Sequence, residues 1–349
     1  MFNNIKKHRF FIRLLNWEYW PSFIIYIPVF FLFLYYALRS RTLFFFARAN
    51  AAIETGGMMG ESKSRILSQV PEKWKPQTLF ISHESSFDEV KDNFKASGLT
   101  FPIIAKPDVG ERGFLVAKIE NEEAFEVYCK KIRADFLVQE YIDLPLELSV
   151  LHYRFPSKKQ GEITSICIKE LLTVTGDGRS TIRELMEAYP RAKLQLQRLL
   201  PELGKTASRV PEAGEEVTLE PIGNHVRGTL FRDANHRINS EITEAFDRIN
   251  HSLEGIYFCR YDLRCRDWET LAKCEEVKIL EINGVAGEPA HIYDPDNSIW
   301  NAYRDLFRHW NIIYRISREQ QKKGVAAMSF REGIQRLRDY FHYRNTANG

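Results

Sequence analysis

The chain has 349 residues, with 49 Lys and Arg against 46 Asp and Glu, a net charge of +3 and an apolar fraction of 44%. These are the proportions of a folded protein long enough for two domains, or for one domain with appendages, and they exclude a disordered chain. Five cysteines (Cys129, Cys167, Cys259, Cys265, Cys274) form no CxxC pair, which argues against a disulfide framework or a zinc site and for a reducing compartment.

The first element in chain order is an uncharged run, Pro21 to Leu38, with Trp17, Tyr19 and Trp20 on one side and Arg39 and Arg41 on the other. Aromatic residues at one edge and arginines at the other are the pattern of a bilayer interface. The run is barely long enough for a straight span, and Pro28 should kink it. We read a membrane anchor here, either one short span or a helix lying in the interface; a buried core helix is the competing reading. Around it lie Lys6, Lys7, Arg9, Arg13 and Arg48 against the single acid Glu18, and Leu43 to Phe46 form a second apolar cluster. The tail after Ile316 is also basic and places Phe330, Ile334, Leu337 and Phe341 at helical spacing. That tail reads as a second interfacial helix or as a surface helix packed on the body. Basic ends around an acidic middle suit an anionic membrane surface, and the body offers no nucleic-acid motif. The stretch "GGMMGESKS" (Gly56 to Ser64) is a near miss for a phosphate loop and reads as a turn before a helix, with a place in the lining of the substrate site as the alternative.

In the body, Thr78 to Ser82 reads as a strand, and Ser86 with Glu89 as a capping box opening a helix that Gly98 closes. Phe101 to Ile119 reads as strand, glycine-containing loop and strand. Lys106 ends the first strand, where its ammonium can meet an anionic phosphate. Gly110 and Gly113 free the loop to bend, with backbone N–H groups available to phosphate oxygens; an ordinary hairpin with a snorkelling lysine is the alternative. Asp135 to Ile142 is an apolar strand with Glu140 near its end, and Glu147 starts the next. Thr181 with Glu184 is a second capping box, opening a helix that should end at Pro190. Ser240 caps an amphipathic helix. In "YFCRYDLRC", Arg260, Asp262 and Arg264 alternate onto one face. In "VKILEINGVAGEP", Glu281 and Asn283 likewise share a face just before Gly284. If these two strands pair as antiparallel neighbours, Asp262 meets Glu281, and two facing carboxylates require a cation or a proton. Asp262, Glu281 and Asn283 then make an oxygen cluster suited to Mg²⁺, and Arg264 beside them could hold a transferred phosphoryl oxygen or a salt bridge to one of the acids.

The order of "IIAKPDVGERGF", "FLVQEYI", "VTGDGRSTIREL", "GNHVRGTLF", "YDLR" and "LEINGVAGEP" resembles the carboxylate–amine ligase branch of the ATP-grasp superfamily, over roughly Phe101 to Pro289. The resemblance implies an α+β ATP-grasp fold, with two subdomains clasping ATP and the N-terminal apolar segment attached. Joined with the segment readings above, the division is a membrane anchor or interfacial helices over 1–54, a short region over 55–100, the ATP-grasp domain over 101–316 and a basic C-terminal helix or tail over 317–349. Lys106 would contact the ATP phosphates and Gly110 to Gly113 would form the phosphate flap. Glu140 and Ile142 would line the adenine pocket, Glu147 would bind the ribose, and Lys169 would be a further nucleotide contact. Asp262, Glu281 and Asn283 would hold Mg²⁺ or Mn²⁺, and Arg264 and Arg227 would face an acyl phosphate. The implied activity is an ATP-dependent ligase that activates a carboxylate for attack by an amine, at a membrane and on its cytoplasmic side; a kinase or a nucleotide-binding regulator is the alternative. Substrates would be small or lipid-borne carboxylates and amines, and a homodimer is compatible with the pattern. The chain departs from relatives in having only 55–100 where they carry an α/β domain, and in the loop "GVAGEPAHIYDP", where His291, Tyr293 and Asp294 could read a different substrate.

Overall fold

Both capping boxes form as the sequence predicts. Ser86 and Glu89 bond each other's backbone at the start of the Phe87–Ser97 helix, and Thr181 and Glu184 do so for Ile182–Ala188. Gly98 ends the first of these with φ 75°, a left-handed turn that a glycine adopts without strain. Pro190 does more than stop the second: its fixed φ and missing N–H suit the first position of a new helix, Pro190–Leu203. These elements belong to a computed structural model that describes residues 8–111 and 113–347. Lys6 and Lys7 of the basic N-terminus and Arg112 of the flap lie outside the described residues.

Eleven strands are described: β1 (Thr78–Ile81), β2 (Ile103–Pro107), β3 (Ala117–Ile119), β4 (Phe136–Glu140), β5 (Leu146–Tyr153), β6 (Glu162–Glu170), β7 (Leu172–Thr175), β8 (Glu216–Glu220), β9 (Leu230–Asp233), β10 (Phe258–Cys265) and β11 (Val277–Asn283). A four-stranded sheet runs β1-β4-β2-β3 and a five-stranded sheet runs β11-β10-β5-β6-β9, with β7 and β8 as a separate pair. All pairings are antiparallel, so the architecture is α+β. The larger sheet buries Leu148, Val150, Ile166, Tyr261 and Ile279 together with Phe246 and Ile249 from the Ser240–Asn250 helix. Burying each such side chain contributes about 1.5–3 kcal/mol. The smaller sheet has its own core of Ile103, Phe125, Phe136 and Val138.

The uncharged N-terminal run is one helix, Ser22–Ser40, which continues through Pro28. It is long and apolar enough to cross a membrane, yet one side packs on the body. Ile25 and Val29 meet Ile292 and Leu306, and Tyr36 stacks on Tyr314 with ring centroids 4.4 Å apart. Its partner is the Ile299–Lys322 helix, which also buries Phe45 and Phe46 of the second apolar cluster. The chain between these helices is tied down by Asn50. Its amide donates to the Gly56 and Phe258 carbonyls, and its oxygen accepts from the Tyr257 and Phe258 N–H groups. The basic tail forms a helix, Phe330–Thr346, seated on the body through Gly333 against the Phe44 ring and through a Tyr343 hydroxyl hydrogen bond to the Val109 carbonyl.

Candidate active site

A cleft of about 700 Å³ opens between the two sheets. Antiparallel pairing of β10 and β11 sets Asp262 directly opposite Glu281 and Arg260 opposite Asn283. The register then slips, so that Leu263 pairs with Ile279 and Leu280 is the extra residue of a bulge. A bulged residue leaves a carbonyl free of the ladder. The Leu280 carbonyl is taken by Lys106 Nζ at 2.9 Å, reaching across from the end of β2. This bond closes the floor of the cleft between the two sheets.

The Asp262 carboxylate is buried, and burial alone would raise its pKa. Arg260 at 3.0 Å, Lys169 at 3.3 Å and the Ser149 hydroxyl outweigh that and hold it well below the usual range. Asn283 donates at 3.2 Å to the oxygen that Arg260 also holds, Lys169 and Ser149 being on the other. Glu281 has Lys63 Nζ at 3.8 Å. Burial pushes the Lys106 ammonium down to about 8, Glu281 partly offsets this, and Lys63 adds to it. Two carboxylates, one kept ionised, and a neighbouring amide make a partial oxygen shell of the kind that Mg²⁺ completes with phosphate oxygens and water, so these residues fit the cation.

Lys106, Lys169, Asp262, Glu281 and Asn283 are thus brought together, as the sequence indicates. Arg264 is not with them. It lies toward the other end of β10, donating from Nε and Nη2 to Glu147 at 3.0 and 2.8 Å and from Nη1 to the Ile142 carbonyl at 3.0 Å. Its guanidinium also lies over the Tyr141 ring. Arg264 lines the same cleft and ties down the segment between β4 and β5 through Glu147 and the Ile142 carbonyl. Arg227 is engaged in a comparable way. It is held by Glu220 at 2.8 Å and donates to the Val116 carbonyl at 3.0 Å, beside Gly113.

The residue that does stand by the carboxylates is Arg260, two positions earlier. Its Nε is buried with no hydrogen-bond partner among the described residues. Period-2 alternation contained this candidate, since Arg260 and Arg264 flank Asp262 equally. The stretch "GGMMGESKS" is the expected turn before a helix, Lys63–Ser68, and it also lines the cleft. Gly57 approaches Gly284 so closely that a Cβ on Gly57 would lie 2.5 Å from its Cα. Val285 and Ala286 N–H groups donate to the Gly56 and Gly57 carbonyls, each at 3.0 Å. Lys63 follows from this loop, donating to the Gly110 carbonyl of the flap. Glu61 also lines the cleft, its carboxyl pushed up by burial. Gly110 and Gly113 line the cleft roof, and the tail helix holds that roof through Tyr343 and through Arg344 at 3.7 Å from Glu111. Finally, the N-terminal segment is part of the wall. Glu18 is buried against Arg191 (2.7 Å) and His225 (2.9 Å), and the Tyr26 hydroxyl donates to Glu288. Of the downstream loop, Tyr293 donates to Glu288 at 2.8 Å, whereas His291 is bonded away among Ser165 and Asp305.

No protein-family profile matches this chain, and no curated protein does. Among solved structures it is similar to the VanG D-Ala:D-Ser ligase from Enterococcus faecalis (TM-score 0.42, 11% identity), the match covering 73% of this chain and 62% of that one. It is similar also to D-alanine–D-alanine ligase from Bacillus anthracis (TM-score 0.40, 12% identity, 77% and 70% covered). A third is a bifunctional glutathione synthetase from Pasteurella multocida (TM-score 0.35, 16% identity, 73% and 38% covered). Each of these proteins is named as a ligase or synthetase.

Proposed function

We propose that this chain is an ATP- and Mg²⁺-dependent carboxylate–amine ligase of the ATP-grasp type, working at a membrane surface. The observation that carries the reading is the Asp262–Glu281 pair with Asn283, set opposite Lys106 and Lys63 and beside the under-bonded Arg260. Lys106, Lys63 and the Gly110–Gly113 roof offer positive charge and N–H groups to a polyphosphate. Mg²⁺ held by Asp262, Glu281 and Asn283 would offset the charge of the phosphates. The Glu140–Ile142 segment, stiffened by Arg264 and Glu147, is the place for the base and sugar. A substrate carboxylate oxygen then attacks the terminal phosphorus and ADP leaves. The amine nitrogen next attacks the acyl carbon and phosphate leaves. Arg260 Nε has a donor to spare for the oxygens on which charge builds, and no protein nucleophile is required.

The membrane part of the reading rests on the outer face of the Ser22–Ser40 helix. Phe23, Ile27, Phe30, Phe31 and Leu38 are exposed along it, with Arg13, Arg39 and Arg41 exposed nearby. A helix of 19 residues is about 28 Å long. Because its other face is covered by the body, an in-plane position suits it better than a span surrounded by lipid. The five free cysteines and the proposed use of ATP support a cleft on the cytoplasmic side. The test is ADP release by the purified full chain with Mg²⁺. Release that requires both a carboxylate and an amine supports the ligase; release with a single acceptor and no amine would make the chain a kinase.

A further inference from the structure

One side of the cleft has no counterpart in anything ATP requires. Ile25 of the N-terminal helix, Met58, Val285, and Leu306, Trp310 and Ile313 of the Ile299–Lys322 helix make an apolar wall there. Phe23 belongs to the same lining and is 74% exposed on the outer face of the N-terminal helix, in line with Ile27, Phe30 and Phe31. The apolar wall thus runs continuously from the interior of the cleft to the exposed stripe. At its inner end stands Glu288, beside Arg260, which donates to the Glu288 carbonyl at 3.4 Å. Tyr26, from the same helix, and Tyr293 each donate a hydroxyl to the Glu288 carboxylate, one on each oxygen. These bonds leave lone pairs on both oxygens for a further donor. An acid at the inner end of an apolar passage matches a cation carrying an apolar tail.

We propose that the amine substrate is an amphiphile: a primary ammonium on a long alkyl chain, the ammonium resting on Glu288 and the chain lying along this wall and leaving past Phe23 into the bilayer surface. The inference rests on the ligase reading for the role of the amine, but the binding it describes is measurable without turnover. The free energy of such a site grows with chain length, because each buried methylene adds its own transfer term, whereas a site for a small polar amine gains nothing.

The experiment titrates the full chain, without nucleotide, with primary alkylamines from butyl to dodecyl and with the matching alkanols, following tryptophan fluorescence. Amine affinity is expected to rise roughly fourfold per added methylene. Phe23→Ser, a change on an exposed position that leaves the fold alone, should flatten the rise for the longest chains. Glu288→Gln should cost the amines about tenfold or more relative to the alkanols. An affinity independent of chain length, or an amine preference that survives Glu288→Gln, would overturn the inference. ATP–Mg²⁺ binding is measured separately by calorimetry. A flat series with ATP binding intact overturns only this inference, and a steep series without ATP binding overturns only the ligase reading.

Discussion

Glu147 accepts two hydrogen bonds from one guanidinium, Arg264 Nε at 3.0 Å and Nη2 at 2.8 Å, with both side chains buried. A lysine can supply the charge at this place but not the planar pair of donors. Arg264→Lys is therefore expected to loosen the Glu140–Ile142 segment and raise the KM for ATP about tenfold, with kcat nearly unchanged. Steady-state kinetics at saturating substrates check this. An equal fall in kcat would return Arg264 to the reacting atoms.

Glu281 is the more accessible of the paired carboxylates, so Glu281→Gln keeps its shape while removing its charge. Activity should need at least roughly 10–100-fold more Mg²⁺, the scale seen when the surroundings of a metal ligand are altered. Circular dichroism should be unchanged. Unaltered Mg²⁺ dependence would remove Glu281 from the metal site.

ATP affinity should depend on pH through Lys106. Burial brings its ammonium down to about 8, and bound phosphates must raise it again. Below that value the lysine is charged in both states and affinity is level. As pH rises above it, the free protein loses the proton that the complex retains, and affinity falls by up to about tenfold per pH unit. Calorimetry from pH 7 to 9.5 reads this, and Lys106→Met should bind weakly with no such slope.

Stability should fall on the acid side because of His309. The ring is buried, and burial lowers its pKa to about 4. One ring nitrogen lies 2.6 Å from the Thr164 hydroxyl and the other bonds the Asp305 carbonyl, an arrangement satisfied by the neutral ring. The unfolded chain takes up a proton near pH 6.5 and the folded one does not. The stabilisation is therefore present above pH 6.5 and is lost as pH drops toward 4, amounting to roughly 3 kcal/mol over that window. Urea unfolding at a series of pH values, compared with His309→Gln, isolates the part that His152, also lowered by burial, does not supply.

Two glycines separate backbone strain from close approach. Gly98 has φ 75° with open space around it, and Gly57 has φ 77° with the Gly284 backbone against it. Gly98→Ala should cost about 1 kcal/mol from strain alone. Gly57→Ala must also push two chain segments apart, adding about 2 kcal/mol or more. Equal losses of stability would mean that the loop contact yields freely.

Local chemistry made much of this legible in the sequence. The capping boxes, Gly98 and the alternation on β10 and β11 are decided within a few residues, and they led correctly to Asp262 facing Glu281. Alternation states which face a residue occupies and not which partners hold it there. Arg260 and Arg264 are four residues, about 13 Å, apart along β10, and the acid that claims Arg264 comes from Glu147 on another strand. The Gly56–Ser64 loop was read as a turn because its partners, Gly284 and the flap carbonyl of Gly110, are remote in sequence. The N-terminal run was identified by its apolarity, but nothing in the run itself shows that Ile25, Val29 and Tyr36 meet protein while Phe23 and Phe31 do not.

The packing of the first long helix on the Ile299–Lys322 helix also sets a timetable. The Ser22–Ser40 helix leaves the ribosome roughly 260 residues ahead of its partner, an interval on the order of ten seconds to a minute at about 5–20 residues per second. Throughout that interval the side chains that will meet the Ile299–Lys322 helix are without that partner. The Asn50 and Gly56–Gly57 contacts wait equally long for Phe258 and Val285. The cleft therefore takes shape late, when the downstream half of the chain returns to a helix made well before it.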